Sequence, residues 1–356
     1  MNIADIDKNF KVETNIKMDD MVFLDANCEP FRIYGVFYED GKYRRLPESI
    51  AATVSDGVKS LHAHTAGGRV RFKTDSPYVA ISAKMPSIGK MPHFALTGSA
   101  GFDLYVKNDD GYRFVNSFQP PFSCNDGFES IINLGGRKIR DITINFPLYS
   151  EVSELYIGLS NTAVIDRADD YAIEKPIVYY GSSITQGGCA SRPGTAYQSL
   201  ISRRFDYNYL NLGFSGNAKA EQEIEDYIKG LDMSIFVYDY DHNAPNTAHL
   251  VATHERMFKG IRAAYPDLPI IMMTRPKPNL DQWEKDNRVV IETTYNNAIA
   301  AGDKNVYFIS GKELMAMTMN EGTVDNCHPT DLGFFSMASV LGDLIETILS
   351  NNGEKK

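Results

Sequence analysis

Cysteine is scarce in this sequence: Cys28, Cys124, Cys189 and Cys327 are four in 356 residues, and none stands in a C-x-x-C pair. That spacing suggests neither a zinc site nor a dense disulfide framework. Positive charge is also in deficit, with 36 Lys and Arg against 46 Asp and Glu and a formal net charge of −10. Phosphate binding needs a concentrated basic surface, so no nucleic-acid partner is expected. No window approaches the ~20 uninterrupted apolar residues of a membrane span, and no membrane association is expected. The opening stretch MNIADIDKNFKVE lacks the basic start and apolar centre of a secretory signal. The expectation is a cytoplasmic protein if Met1 is the native start, and a secreted or periplasmic one if a leader has been removed.

Hydrophobic residues make up 43% of the chain and charged residues 23%, an ordinary soluble composition. A chain of 356 residues exceeds the usual single-domain size, so two domains are expected. The pattern divides accordingly. In the front half, Val79, Ile81, Ala83 and Met85 alternate with smaller or polar residues, as do Ile142, Ile144, Phe146 and Leu148, and Leu155, Ile157 and Leu159. Period two is that of a half-buried strand, and many short strands imply a β-sandwich. Only PESIAATVSDGVKSL is ambiguous there. After the polar stretch NTAVIDRADDYAIEKP, apolar strands alternate with helical segments. The strands are IVYYG, YNYLNLG, MSIFVYDY, PIIMMTRP and NVYFISG. The helices run over residues 196–205, 218–231, 247–265, 282–301 and 331–349. This rhythm predicts a parallel sheet covered on both faces, with function at the carboxyl ends of its strands. The predicted domains are residues 1–170, an all-β sandwich, and 171–356, an α/β domain.

Four strand-end loops carry chemistry. GSSIT follows the first strand, GFSGNA the second and DYDHNAPN the third, while VDNCHPTDLGF comes after the last. Each by itself reads as a turn, because Gly, Ser, Asn and Asp are turn formers. Together they supply acyl transfer. A serine becomes nucleophilic when a histidine oriented by a carboxylate takes its proton, and Asp325 and His328 stand three residues apart on one loop. Backbone N–H groups at Ser183 and Gly216 and the amide of Asn243 are candidate donors to a tetrahedral oxyanion.

These blocks resemble those of the SGNH (GDSL-like) hydrolases. GSSIT is similar to G-D-S-[LIV], with Ser183 as the nucleophile and Ser182 where Asp or Asn often stands. GFSGNA matches the second block through Gly216, DYDHNAP keeps only Asn243 of the third, and DNCH matches D-x-x-H through Asp325 and His328. The resemblance implies a three-layer α/β/α, flavodoxin-like hydrolase domain, a Ser183–His328–Asp325 triad, an oxyanion hole of Ser183, Gly216 and Asn243, and no cofactor. In the front half, GFDLY at Gly101 looks like the G-x-D-L-Y signature of β-rich, jelly-roll-like domains found before some SGNH hydrolases. That layout is similar to family 2 carbohydrate esterases, which remove acetyl groups from plant polysaccharides. The resemblance therefore implies a serine esterase whose partner is a small-molecule or oligosaccharide ester, most of all an O-acetylated carbohydrate.

Two rivals stand beside it. A lipase or thioesterase on the same fold needs an exposed apolar groove or lid, and no amphipathic segment suggests one. A glycan-binding protein with an inactive hydrolase domain is disfavoured because all five block residues are present. Trp283 and Arg275 are candidate substrate contacts, against a packing role for the tryptophan and an ion pair for the arginine. Asp239, Asp241 and His242 are metal-ligand types, but their spacing matches no metal motif, and no metal is expected. His62 and His64 read as one face of a strand, in surface or packing roles. Cys189 and Cys327 lie close in sequence to Ser183 and His328.

Overall fold

The structure, a computed structural model, describes residues 14–351. Residues 1–13, read above as lacking a secretory signal, lie outside the described residues. The chain forms two compact units whose boundaries interleave. The first takes the chain up to Arg45, Ala63–Ala172 and Ala190–Gly194; the second takes Leu46–His62, Ile173–Cys189 and the chain from Thr195 onward. A single break near residue 170 would have put residues 46–62 with the first unit. They cluster with the second.

The first unit is antiparallel throughout. One sheet pairs β1 (Met21–Asp25), β11 (Glu154–Ser160), β6 (Tyr78–Lys84) and β9 (Gly127–Asn133). The other runs β12 (Ile165–Asp166), β5 (Arg69–Thr74), β10 (Arg140–Asn145), β7 (Phe102–Asn108) and β8 (Gly111–Phe118), with β2 (Arg32–Tyr34) also on β5. A hairpin of β3 (Phe37–Glu39) and β4 (Lys42–Arg44) stands apart. The period-two residues meet in one core: Val79, Ile81, Ala83, Leu155, Ile157 and Leu159 from the first sheet join Val70, Phe72, Leu104, Ile142 and Ile144 from the second. This is a sandwich core built from alternate residues of both inner faces.

The G-x-D-L-Y motif has a structural task in this unit. A Cβ on Gly101 would lie 2.5 Å from the Thr97 carbonyl oxygen, so the turn into β7 requires glycine. Asp103 is fully buried, and its carboxylate accepts from Asn145 Nδ2 at 2.7 Å, Arg192 at 3.2 Å and the Gly194 N–H at 2.8 Å. The Tyr105 hydroxyl also meets Arg192. The motif thereby secures residues 190–194 within the first unit.

In the second unit the strands are β13 (Ile173–Gly181), β14 (Tyr207–Gly213), β15 (Ile235–Asp239), β16 (Ile270–Met273) and β17 (Val306–Ile309). All pair in parallel, in the order β14-β13-β15-β16-β17. The helices are α1 (Glu48–Val54), α2 (Asp56–Leu61), α4 (Ser183–Gln186), α5 (Tyr197–Phe205), α6 (Gln222–Ile228), α7 (Thr247–Ala264), α8 (Gln282–Ala300), α9 (Gly311–Leu314) and α10 (Asp331–Asn351), while the short α3 (Leu96–Ser99) belongs to the first unit. Val178, Tyr180, Phe236 and Met272 pack with residues of α6, α7 and α8, and with Leu46, Ala51 and Val58. On the opposite face Tyr179 meets Tyr197 of α5, which stacks on Phe334 of α10. The result is the expected three-layer arrangement.

The ambiguous PESIAATVSDGVKSL is α1 and α2. His62 therefore ends a helix, its Nδ1 2.6 Å from the Lys59 carbonyl oxygen, and shares no strand with His64. By length and composition α10 is long and apolar enough to cross a membrane, which uninterrupted apolar runs did not suggest. Its Phe334, Met337, Leu341, Ile345 and Ile348 are buried inside the unit.

Candidate active site

The sheet order places three of the four loops side by side. β13 lies between β14 and β15, and Gly181 is in register with both Gly213 and Asp239. The strand order reverses at this point, which opens a crevice at the carboxyl edge. Gly181 is obligatory there, because a Cβ would sit 2.3 Å from the Asp239 carbonyl oxygen. Ser182 follows as the N-cap of α4, its hydroxyl accepting the Ile184 N–H at 3.2 Å and its own N–H donating to the Asp239 carbonyl at 3.0 Å. Ser, Asp and Asn are all good N-caps, so serine at this position keeps the local job that Asp or Asn would do. Ser183 is then the first residue of a single helical turn, closed by Gly187 at φ 98°. A sharp strand-to-helix turn pushes the Ser183 side chain out of the sheet edge.

His328 comes to it from a loop ahead of α10. The Ser183 hydroxyl lies 2.9 Å from His328 Nε2, and His328 Nδ1 lies 2.8 Å from Asp325 Oδ2. A carboxylate only accepts, so Nδ1 carries the proton and Nε2 offers its lone pair to the serine O–H. The loop is closed by its own backbone: Val324 N–H donates to the His328 carbonyl at 2.9 Å, and Thr330 N–H to the Gly322 carbonyl at 2.8 Å. Asp325 Oδ1 accepts the N–H groups of Cys327 at 3.1 Å and His328 at 2.7 Å. Burial pushes the Asp325 carboxyl up, but these N–H donors and the His328 ring outweigh it, and it ionises below its ordinary value.

The loops that carry the expected oxyanion donors are tied to the nucleophile's turn and to one another. The Ser215 N–H donates to Gln186 Oε1 at 3.0 Å, joining the second-block loop to α4. Asn243 Nδ2 donates to the Phe214 carbonyl at 2.9 Å, joining the third-block loop to the second. Gly216, between them, has φ 70°, and nothing lies within 4 Å of where its Cβ would be. Gln186 was not anticipated; its only signal was its place on the nucleophile's own helical turn.

Arg275, expected as a substrate contact, is committed to the interior. It is 3% exposed, with Nε on Asp241 Oδ2 at 3.2 Å, one terminal nitrogen on Glu284 at 3.0 Å and the other on the Asp241 carbonyl at 3.0 Å. Its guanidinium lies 4.6 Å from the centre of the Trp283 ring, so one face of that half-exposed indole is occupied by protein. Asp241 is thus an ion-pair partner. Both oxygens of Asp239 are buried without a hydrogen-bond partner among the described residues, and burial, with the like charge of Asp241, holds this carboxyl well above the ordinary range. All four cysteines are free thiols.

Comparison with known proteins adds to this geometry. Residues 174–346 match the profile of the GDSL-like lipase/acylhydrolase family, and residues 21–165 match that of the GxDLY domain, the N-terminus of SGNH-hydrolase-type esterases. Among solved structures, one described as a GDSL-like lipase from Bacteroides ovatus is 30% identical, with a TM-score of 0.84 over 93% of this chain and 98% of the other. The salicylyl-acyltransferase SsfX3 of a tetracycline biosynthetic pathway is 17% identical, with a TM-score of 0.76 over 93% of this chain and 98% of its own. A family two carbohydrate esterase from Cellvibrio japonicus is 12% identical, with a TM-score of 0.61 over the same shares. No curated protein matches the chain.

Proposed function

The chain belongs to the GDSL-like lipase/acylhydrolase family, and on that premise we propose that it is a serine esterase that removes acetyl groups from O-acetylated carbohydrates. The observation that carries the reaction type is the unbroken chain Ser183 Oγ, His328 Nε2, His328 Nδ1, Asp325 Oδ2, with links of 2.9 and 2.8 Å. His328 takes the Ser183 proton as Oγ attacks the ester carbonyl, and Asp325 stabilises the imidazolium that forms. The oxyanion receives the N–H groups of Ser183 and Gly216 and the second N–H of the Asn243 amide, whose first is held by Phe214. His328 then protonates the departing sugar oxygen, leaving an acyl-serine. Water attacks that ester with His328 again as base, and acetate leaves as Ser183 regains its proton. Apart from the ester and water, each of these steps uses the chain's own groups. The substrate class is supported by the two-domain resemblance to family two carbohydrate esterases.

A second reading has an observation of its own. The segment around the Asp325–His328 loop exposes Met317, Met319, Val324, Leu332 and Phe335, each at least 44%. Met317 N–H donates to Ser336 Oγ and Gly322 packs on Gly333, so these side chains belong to one surface region. This is the exposed apolar surface a longer acyl chain needs, although no single amphipathic segment announces it. Acetate release from a panel of acetylated oligosaccharides, run beside p-nitrophenyl acetate and octanoate, separates the two readings. Preference for acetyl esters and release from the sugars supports the proposal. Faster octanoate hydrolysis with no release from any sugar overturns it.

A further inference from the structure

We propose that Gln186 is a positioning residue for the reaction at Ser183, setting where the Gly216 N–H stands relative to the nucleophile. Ser183 and Gln186 are the first and last residues of the single helical turn α4. Gln186 is fully buried, and its Oε1 accepts the Ser215 N–H at 3.0 Å. Ser215 immediately precedes Gly216, so one side chain reaches from the nucleophile's turn to the neighbour of an expected oxyanion donor. The helix end of that span is fixed. The Thr185 carbonyl accepts Asn211 Nδ2 at 2.8 Å and Gln198 Nε2 at 2.7 Å, and the Gln186 N–H donates to the Ser182 carbonyl at 3.0 Å. The loop end is fixed as well: the Phe214 N–H donates to the Gly181 carbonyl at 2.8 Å, and Asn217 Nδ2 to the Ser215 carbonyl at 2.7 Å. Strand end and turn are in close contact, since a Cβ on Gly213 would lie 2.2 Å from the Gln186 nitrogen.

The alternative is that Gln186 only fills space beneath the turn and bonds whatever is near, as buried amides do. An apolar side chain of similar volume would then serve equally well. It would, however, leave the Ser215 N–H without its acceptor and free the loop to shift. As Ser183 Oγ bonds to the ester carbonyl carbon, the C=O π pair moves onto oxygen and the hydroxyl proton passes to His328. Donors help only where they already stand at the position in which that charge appears. Loss of the Gln186 acceptor keeps the Gly216 N–H but misplaces it. The penalty should therefore fall short of the about 100–1,000-fold that deletion of a donor costs.

This role rests on the esterase reading above, so the test includes a readout that needs no ester turnover. Gln186→Met keeps the length of the side chain and removes the acceptor. Sites are counted by titration to completion with a fluorophosphonate, whose phosphorus bonds to Ser183 Oγ as fluoride leaves and the serine proton passes to His328. Per titrated site, kcat for p-nitrophenyl acetate should fall about 10–100-fold with KM within about twofold, the pattern of an interaction made only in the transition state. Fluorophosphonate labelling should slow by a comparable factor. The acid limb of kcat/KM should stay at the parent's pH, because the Asp325–His328 pair is untouched. A merely structural glutamine would lower the melting point and the number of titrated sites, but not the rate per site. If Gln186→Met does not fold, Gln186→Ala carries the test. An unchanged rate per site, or an acid limb that moves with the rate, overturns the proposal. A parent that hydrolyses no ester yet is labelled at Ser183, and more slowly in Gln186→Met, keeps the positioning role and removes the esterase reading.

Discussion

Ser182 and Ser183 are neighbours with separable jobs, and the difference can be measured. Ser183→Ala should lower ester hydrolysis by at least about 10,000-fold, since nucleophile and base act as a unit. The thermal midpoint should barely move, because the lost hydroxyl is bonded to a mobile-proton partner rather than to a cap. Ser182→Ala removes the hydroxyl that accepts the Ile184 N–H, and should cost about 0.5–2 kcal/mol of stability while leaving a measurable rate. A dead Ser182 variant beside an active Ser183 variant would reverse the assignment. Arg275 offers the complementary case. Arg275→Ala leaves Asp241 without its buried counter-charge and Glu284 with Lys277 alone, and should cost about 3–5 kcal/mol in urea unfolding. If stability held and only KM for the sugar ester rose, Arg275 would be a substrate contact after all.

At the scale of elements, the sheet edge depends on packing that is sensitive to acid. His254 of α7 is buried, stacked on Tyr238 of β15 at 4.7 Å, with Nδ1 2.9 Å from Thr294 Oγ1 of α8. Burial lowers His254 from 6.5 to about 3, and lowers His242, in the loop after β15, to about 4. A group depressed on folding binds protons more readily in the unfolded chain. Its contribution is therefore fully present above about pH 6.5 and is lost as pH falls toward about 4 for His242 and about 3 for His254. Denaturant midpoints should decline steadily from pH 7 to pH 5. His254→Gln, which keeps a polar partner for Thr294 but does not titrate, should flatten that slope. An unchanged slope in the variant would remove His254 as the cause.

At the scale of the whole molecule, the second unit is not contiguous in sequence. Leu46, Ala51 and Val58 are fully buried in the same core as Tyr180, Phe214 and Ile224, and a Cβ on Gly57 would collide with the Asn217 side chain at 1.9 Å. A fragment starting at Ala172 holds every proposed catalytic residue yet lacks this part of its core. It should be poorly soluble or melt far below the full chain, since each large buried side chain removed costs about 2–5 kcal/mol. In the full chain, Leu46→Ala should lower stability by a similar amount. A well-folded, fully active 172–356 fragment would show that α1 and α2 are dispensable to the hydrolase unit.

Features controlled by local periodicity and local chemistry are legible in the amino-acid order. Period two in Leu155, Ile157 and Leu159 and continuous apolar runs such as IVYYG mark a strand by how its own residues are buried, and YNYLNLG is β14 from its first residue to its last. The D-x-x-H loop was legible for the same reason: Asp325 reaches His328 across three residues and closes on its own backbone. The rest depends on partners far away in the chain, which meet only once it has folded. Arg275 reads equally as a substrate contact or a surface ion pair until Asp241, 34 residues earlier, is brought against it in the interior. PESIAATVSDGVKSL carries no mark of the unit it joins, since its apolar face is generic and its partners begin more than a hundred residues later. Cys189 and Cys327 lie 138 positions apart, and only the meeting of the β13 and α10 loops sets both beside His328.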